Sequence, residues 1–425
     1  MKYIYLLFFL SFFNSEATNL KKKQGLSPNI LFIIADDMGK DAISGFAEGT
    51  IKPKTPYIDQ IRNTGLSFTN FWTNPTCSPT RAAIITGKYG NRTLVKKPGD
   101  ELPSSEKILQ QYIKEKTNHT YVSALIGKWH LSGRDRSFNP EVLGIDYFAG
   151  IVSGATRSYD EWRLSENGTS TAQSNYITEK FTDLSIDWIK EQQKPWFLWL
   201  AYNAPHTPFH VPPAEMHSQG DLKPYERGSR AMPYYLAAIE AMDYQIGRLL
   251  NSLSPEVREN TIIIFVGDNG SPRQVAQSPY FSNRVKGSLF QGGINMPLFI
   301  SGKGVTRSGE DNHLVNHTDL FATISQLAGV GVTEIHDSKS LLPLLTSSEK
   351  HRDYVYTDSD DRSMMGYTIR DSQYKLIVLD SGSEKMYDLI SDPYESSDLL
   401  SSTLTAEQKK AKEALKQKVL EIRGE

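Results

Sequence analysis

Apolar residues in this chain gather in short unbroken runs, each closed by polar side chains. Asn29-Ile30-Leu31-Phe32-Ile33-Ile34-Ala35 ends in Asp36-Asp37, and Thr261-Ile262-Ile263-Ile264-Phe265-Val266-Gly267 ends in Asp268-Asn269-Gly270. Trp196 to Ala201 leads into Asn203-Ala204-Pro205-His206, and Tyr121 to Ile126 into Gly127-Lys128-Trp129-His130; a shorter run is Met296 to Ile300. Such runs suit strands covered on both faces, as in a parallel sheet. Helical periodicity falls between them, at roughly 56–64, 107–116, 175–191, 232–252 and 320–328. The alternation predicts an α/β fold with a large mixed, mostly parallel sheet sandwiched by helices. Ligands of open α/β sheets bind beyond the carboxyl ends of the strands, where these polar clusters fall.

The composition shifts after Leu345. Thr346-Ser347-Ser348-Glu349-Lys350 reads as a polar linker, followed by strand-like pieces at 354–356, 366–370 and 374–379 and a charged helix at about 405–422. These predict a small C-terminal antiparallel α+β subdomain over 351–425, beside a catalytic domain over 28–345. At the other end, Lys2 precedes an apolar run from Tyr3 to Phe13, and Ser15-Glu16-Ala17 puts small residues where a signal peptidase cuts. Residues 1–17 are therefore expected to be a signal peptide and the protein periplasmic or secreted. The run falls short of the roughly 20 residues that cross a bilayer, and no cysteine follows it, so no membrane anchor is expected.

Charge and cysteine count narrow the chemistry. Lys+Arg number 47 and Asp+Glu 49, a formal charge of −2, so no global field draws polyanions and nucleic-acid binding is not expected. Any anionic substrate must be held by local cations. The single cysteine, Cys77, can form neither an intrachain disulfide nor a thiolate cluster. It is either inert packing or the point of the chemistry. Asp36-Asp37 and Asp268-Asn269 converge if their strands share a parallel sheet, and carboxylates so close need a cation. An all-oxygen set suits a hard divalent ion, Ca²⁺ ahead of Mg²⁺. Each pair taken singly reads more readily as a cap for the helix that follows than as a ligand.

The segment Thr76-Cys77-Ser78-Pro79-Thr80-Arg81 has the form Cys-x-Pro-x-Arg and precedes a small-residue run, predicting a helix that opens at the cysteine, where backbone donors and an Arg favour anions. With Asp36-Asp37, Gly127-Lys128-Trp129-His130, Ala204-Pro205-His206-Thr207-Pro208-Phe209, Asp268-Asn269-Gly270, Arg284 to Ile294 and the tail Met386 to Glu395, the chain resembles the formylglycine-dependent sulfatases of the alkaline phosphatase superfamily over roughly residues 28 to 400. The resemblance implies an alkaline-phosphatase-like sulfatase fold and a sulfuric ester hydrolase. It implies that a formylglycine-generating or sulfatase-maturing enzyme converts Cys77 to 3-oxoalanine, and that Asp36, Asp37, Asp268, Asn269 and modified Cys77 hold one Ca²⁺. By the same resemblance Cys77 supplies the nucleophile and Arg81 orients it, Lys128 and Lys286 face the sulfuryl charge, His130 holds or deprotonates the geminal hydroxyl, and His206 protonates the departing alkoxide. Gln291 and Asn295 stand where the family often has Glu and Arg, which points to differences in loop packing or the substrate pocket.

Arg134, Asp135, Arg136, Arg157, Trp162, His210 and Arg273 are expected near the mouth, where guanidinium groups and an aromatic plane suit an acidic sugar. The expected substrate is a sulfated carbohydrate, such as oligosaccharides of algal polysaccharide, handled by a bacterium. Two other readings stand beside it. A phosphonate or phosphate ester hydrolase of the same superfamily would share the sheet and metal carboxylates, and a catalytically silent sugar-binding homologue would keep Cys77 unmodified and hold no metal.

Overall fold

The computed structural model describes residues 27–133 and 140–424. The leader read at 1–17 and Arg134, Asp135 and Arg136 lie outside the described residues. The strands are β1 (Asn29–Ala35), β2 (Leu66–Trp72), β3 (Val122–Lys128), β4 (Tyr147–Ile151), β5 (Trp162–Glu166), β6 (Thr169–Gln173), β7 (Trp196–Ala201), β8 (Thr261–Gly267), β9 (Asn295–Met296), β10 (Leu298–Gly302), β11 (Gly309–Asn316), β12 (Glu334–Ile335), β13 (Ser338–Lys339), β14 (Val355–Ser359), β15 (Gly366–Arg370), β16 (Tyr374–Leu379) and β17 (Glu384–Asp388). The helices are α1 (Pro56–Asn63), α2 (Cys77–Thr86), α3 (Gly90–Thr93), α4 (Leu109–Lys116), α5 (Ile177–Lys190), α6 (Met232–Ser252), α7 (Pro255–Glu259), α8 (Gln291–Ile294), α9 (Asp319–Leu327) and α10 (Ala406–Arg423).

The large sheet runs β11-β2-β10-β8-β1-β7-β3-β4-β5-β6, with β9 beside β2. Its centre, β8-β1-β7-β3-β4, is parallel, whereas β10 is antiparallel to β8 and β2, and β5 to β4 and β6. The mixed, mostly parallel α/β architecture is the one predicted. Every residue of β1, β7 and β8 is buried, because alternate side chains enter two cores. Ile30, Phe32 and Ile34 pack with Ile84, Ile113 and Phe321 from α2, α4 and α9. Leu31 and Ile33 pack with Ile58, Phe181 and Ile239 from α1, α5 and α6. Each such fully buried apolar side chain contributes roughly 1.5–3 kcal/mol, which is why the runs are apolar beyond Asn29 and Thr261 at their starts.

Strands β14 to β17 form a separate antiparallel sheet in sequence order, and α10 packs Leu415 and Val419 against Tyr356, Ile369 and Leu376. A capping box at Thr405 and Gln408 opens α10, and Gly424 closes it in the left-handed conformation. The sheet lies against the large domain through β14, next to β2 and β11.

Several local expectations change. The run 296–300 is broken at Pro297, which lacks a ladder donor, so β9 pairs with β2 while β10 pairs with β8. Trp162 is 6% exposed, packs edge-on against Phe181 and donates its indole N–H to the Asn175 carbonyl. It is a core residue, not a mouth residue.

Candidate active site

The sheet places the polar clusters side by side. Strands β1 and β8 pair in parallel through Ala35 and Gly267, and the pairing continues one step, with the Asp268 N–H on the Ala35 carbonyl at 3.1 Å and the Asp36 N–H on the Ala204 carbonyl at 3.1 Å. Asp37 then turns into the left-handed region at φ 68°, a conformation Asp tolerates better than most side chains. This aims its N–H at Asp268 Oδ1, 3.0 Å away. Three carboxylates from two strand ends therefore meet in the interior, each 1% exposed or less.

Three cations face them. Lys128, the last residue of β3, puts Nζ 2.5 Å from Asp36 Oδ2 with both side chains fully buried. Arg81, one turn into α2, holds Asp268 Oδ2 through Nη2 at 2.9 Å and donates Nη1 to the Lys128 carbonyl at 2.9 Å. Lys286 reaches Asp37 Oδ2 at 2.6 Å. Burial pushes the Asp268 carboxyl up to about 6, helped by the neighbouring Asp36 charge. Burial also raises Asp36 against the pull of Lys128. Asp37 is the exception: burial pushes it up too, but Lys286, His206 and Lys128 outweigh it and hold the carboxyl below its ordinary range.

Cys77 opens α2, a helix whose ten residues are all buried. Its Sγ lies 3.1 Å from His130 Nδ1. Burial, then the charges of Lys128 and Arg81, push the His130 imidazole well below its ordinary value, so the ring is neutral at pH 7. His206 Nε2 is 3.6 Å from Asp37 Oδ2. Its Nδ1 donates to the Thr207 carbonyl at 2.6 Å, and burial followed by repulsion from Lys286 and Lys128 pushes it down to about 3. Nε2 of the neutral ring therefore carries a lone pair.

Asp36, Asp37, Asp268, Asn269, Cys77, Arg81, Lys128, His130, His206 and Lys286 thus gather at one sheet edge. The donor set fits a hard divalent ion. Among the described residues, Asp36 Oδ1 and Asn269 Oδ1 are buried without a hydrogen-bond partner, while Asn269 Nδ2 is spent on Asp37 Oδ1 at 2.7 Å. Oxygen atoms of Asp36 and Asp37 and a nitrogen of His206 also lie within 4.8 Å of one another. Three carboxylates against three cations leave the cluster near neutral, so a divalent ion tips it towards binding an anion.

Supporting residues escaped the sequence reading. Tyr235, in the first turn of α6, donates its hydroxyl to the Asp37 carbonyl at 2.7 Å, and nothing local to its apolar helix marks it. Tyr159 places its hydroxyl 2.7 Å from the His206 carbonyl and stacks on His210 at 3.7 Å between centroids, so His210 braces the His206 loop. Ser271 accepts from the Gly39 N–H at 3.2 Å; its place directly after Asp268-Asn269-Gly270 was a usable signal. Arg157 and Arg273 are exposed, and among the described residues no hydrogen bond or ion pair ties either to the cluster.

Known proteins resemble this chain in sequence and in fold. The family model described as Sulfatase matches residues 28–330, and that described as N-sulphoglucosamine sulphohydrolase, C-terminal, matches residues 280–425. The chain is 29% identical over 360 residues to N-acetylgalactosamine-6-sulfatase of Homo sapiens, covering 75% of this chain and 66% of that protein. It is 26% identical over 449 residues to the uncharacterized sulfatase YdeN of Escherichia coli (strain K12), covering 82% of this chain and 78% of that one. Its fold matches the crystal structure of Ps i-CgsB in complex with k-i-k-neocarrahexaose, with a TM-score of 0.79 at 24% identity over 92% of both chains. It also matches BT4656 in complex with its substrate D-glucosamine-2-N,6-O-disulfate, with a TM-score of 0.77 at 22% identity over 94% of this chain and 98% of that one.

Proposed function

The chain belongs to the sulfatase family and is a sulfate ester hydrolase, and from that premise we propose that it removes sulfate from a sulfated carbohydrate through a formylglycine made from Cys77, with Ca²⁺ held by Asp36, Asp37, Asp268 and Asn269. The observation that carries the reading is the meeting of Cys77 with His130 beside buried carboxylates whose Asp36 Oδ1 and neighbouring Asn269 Oδ1 lack partners. The carbohydrate is supported by the N-acetylgalactosamine-6-sulfatase relative and by the saccharide complexes of the two structures. The apolar leader favours a periplasmic or secreted site of action, with a maturing enzyme met on the way.

Oxidation of Cys77 supplies a hydrated aldehyde with two hydroxyls on one carbon, and a divalent ion supplies positive charge beside it. The chain's own residues do the rest. His130 offers Nδ1 to a proton at residue 77. Lys128 and Lys286 are already fixed by carboxylates before substrate arrives, so they present charge to the sulfuryl oxygens without reorganising. Arg81 holds Asp268 and the Lys128 carbonyl, and so acts on residue 77 by fixing the walls around it. His206 must gain a proton at Nε2 before it can give one to a leaving alkoxide, and an anionic ester beside it provides the charge that raises its affinity for that proton.

The test is peptide mass spectrometry of residue 77 in protein made beside a formylglycine-generating enzyme, joined to sulfate release from a panel of sulfated oligosaccharides, with and without chelator. The expected result is an aldehyde at residue 77 and Ca²⁺-dependent sulfate release. Full turnover with an unmodified thiol, or in excess chelator, overturns the reading.

A further inference from the structure

A cleft of about 880 Å³ opens between the β2–β11 edge of the large sheet and the turns of the small one, and none of the catalytic carboxylates, Cys77 or His206 lines it. Two cations form its floor. Lys40 is 2% exposed and Arg370 is 4% exposed. Buried charges are ordinarily ion-paired, yet among the described residues neither has a carboxylate within ion-pair distance. Lys40 Nζ donates to the Thr69 carbonyl at 2.6 Å and to Asn295 Oδ1 at 2.9 Å. Arg370 donates Nε to the Asp371 carbonyl at 2.8 Å, Nη1 to Asn70 Oδ1 at 3.0 Å and Nη2 to the Ser372 carbonyl at 3.2 Å. All of these acceptors are neutral, and an ammonium has three N–H donors and a guanidinium five. Among the described residues one donor on Lys40, whose ammonium also lies 4.9 Å from the Phe46 ring centroid, and two on Arg370 make no hydrogen bond.

The state without ligand is costly. Burial pushes Lys40 down to about 8, with repulsion from Arg370 adding to it, and burial pushes Arg370 down to about 10. Gln291, also in the wall, is 4% exposed, and among the described residues its Oε1 has no hydrogen-bond partner. The charges are sorted by depth. The carboxylates that line the cleft, Glu48, Glu310, Asp353 and Asp371, are exposed or half-buried at the rim, and Lys350 and Arg352 are already paired with Asp353 and Asp319. Tyr354 and Tyr394 stand at the same mouth.

We propose that this cleft is a second, non-catalytic site for a sulfo group, free as sulfate or carried on a saccharide chain, gripped by Lys40 and Arg370. The rim carboxylates and Gln291 Oε1 accept hydroxyl protons of the sugar, and the tyrosines cover its apolar face. In its saccharide form the inference rests on the carbohydrate reading above; in its free-anion form it does not.

Calorimetric titration of the full Cys77→Ala chain with sodium sulfate, with a sulfated oligosaccharide and with its desulfated counterpart tests it. Two binding events are expected for at least one sulfated ligand. Arg370→Gln, and independently Ser372→Trp at the exposed hairpin tip, should each weaken one event at least tenfold while turnover of a small aryl sulfate by the otherwise unaltered enzyme stays the same. Binding of sulfate alone at the cleft identifies the free anion as the ligand, and loss of every saccharide event together with retained sulfate binding rejects the carbohydrate reading, not the site. A single event insensitive to both variants, or equal binding of the desulfated saccharide at the cleft, overturns the proposal.

Discussion

Replacing Lys128 by Met tests how the carboxylate cluster is held. The Lys128 ammonium and the Asp36 carboxylate are both fully buried and 2.5 Å apart. Methionine keeps the apolar stem and removes the charge, leaving Asp36 with Arg81 Nη2 at 3.9 Å as its nearest cation. Breaking a buried pair from one side costs about 3–5 kcal/mol. Asp36 can soften that loss by binding a proton, since its pKa is already raised by burial and loses the opposing pull of Lys128. A group whose folded pKa lies above its unfolded value binds an extra proton in the folded state between the two, so the variant loses stability as pH rises through that window. The deficit should therefore be smallest near pH 5 and grow towards pH 8, by up to about 1.4 kcal/mol per pH unit. Urea unfolding followed by tryptophan fluorescence reads this directly, and added Ca²⁺ should recover part of the loss by pairing Asp36. Sulfate ester turnover should fall by about 10²–10³-fold as a preorganised donor is removed. A variant as stable as the parent at pH 8, or one whose deficit shrinks with rising pH, would refute the reasoning.

Three further outcomes follow from particular contacts. A Cβ added at Gly154 would sit 2.1 Å from His130 Cε1 and Nε2, so Gly154→Val should displace the ring and cut kcat by about 10²-fold with an unchanged melting temperature; wild-type kcat would show that the ring's position is unimportant. His317 is fully buried, donates Nδ1 to the Trp72 carbonyl at 3.0 Å and is pushed down to about 4 by burial. Its folded pKa lies below the unfolded one, so its contribution is complete above pH 6.5 and is lost as pH falls towards 4; His317→Asn should flatten the acid limb of urea stability by roughly 3 kcal/mol in total, and parallel limbs in the two proteins would contradict this. Cys77→Ser in maturation-competent cells should lower turnover by about 10³-fold or more, measured as sulfate release against a parent preparation of known aldehyde content, and equal rates would remove residue 77 from the chemistry.

The centre of the fold was legible because burial on two faces leaves little choice of residue: after Asn29 and Thr261 at their starts, β1 and β8, like β7, are apolar and read as strands without a partner in view. Strand β2, Leu66-Ser67-Phe68-Thr69-Asn70-Phe71-Trp72, was not, since Ser, Thr and Asn break the run and its place is fixed by pairing with β10 and β11. Strand β6 has mostly exposed residues and exists by hairpin pairing with β5. Asp36, Asp37, Asp268, Asn269 and Lys128 were readable because they close strands, and Cys77 because it opens a helix; Arg81 inside α2 and Lys286 in a loop were marked only by the family resemblance. Their partners were not: which oxygen Lys128 takes, or that a tyrosine on α6 reaches the Asp37 carbonyl, depends on three-dimensional register. The depth-sorted charges of the second cleft come from residues as far apart as Lys40 and Arg370, a separation no local pattern spans.

The accessibility of Cys77, 2% at the head of a helix with no exposed residue, sets an order of events. On the proposal that a maturing enzyme oxidises this side chain, that enzyme must reach a thiol which the folded protein buries. On the same proposal, processing precedes collapse of the sheet around α2. A molecule that folded first would then keep its thiol, and the competent fraction would reflect a race between oxidation and folding.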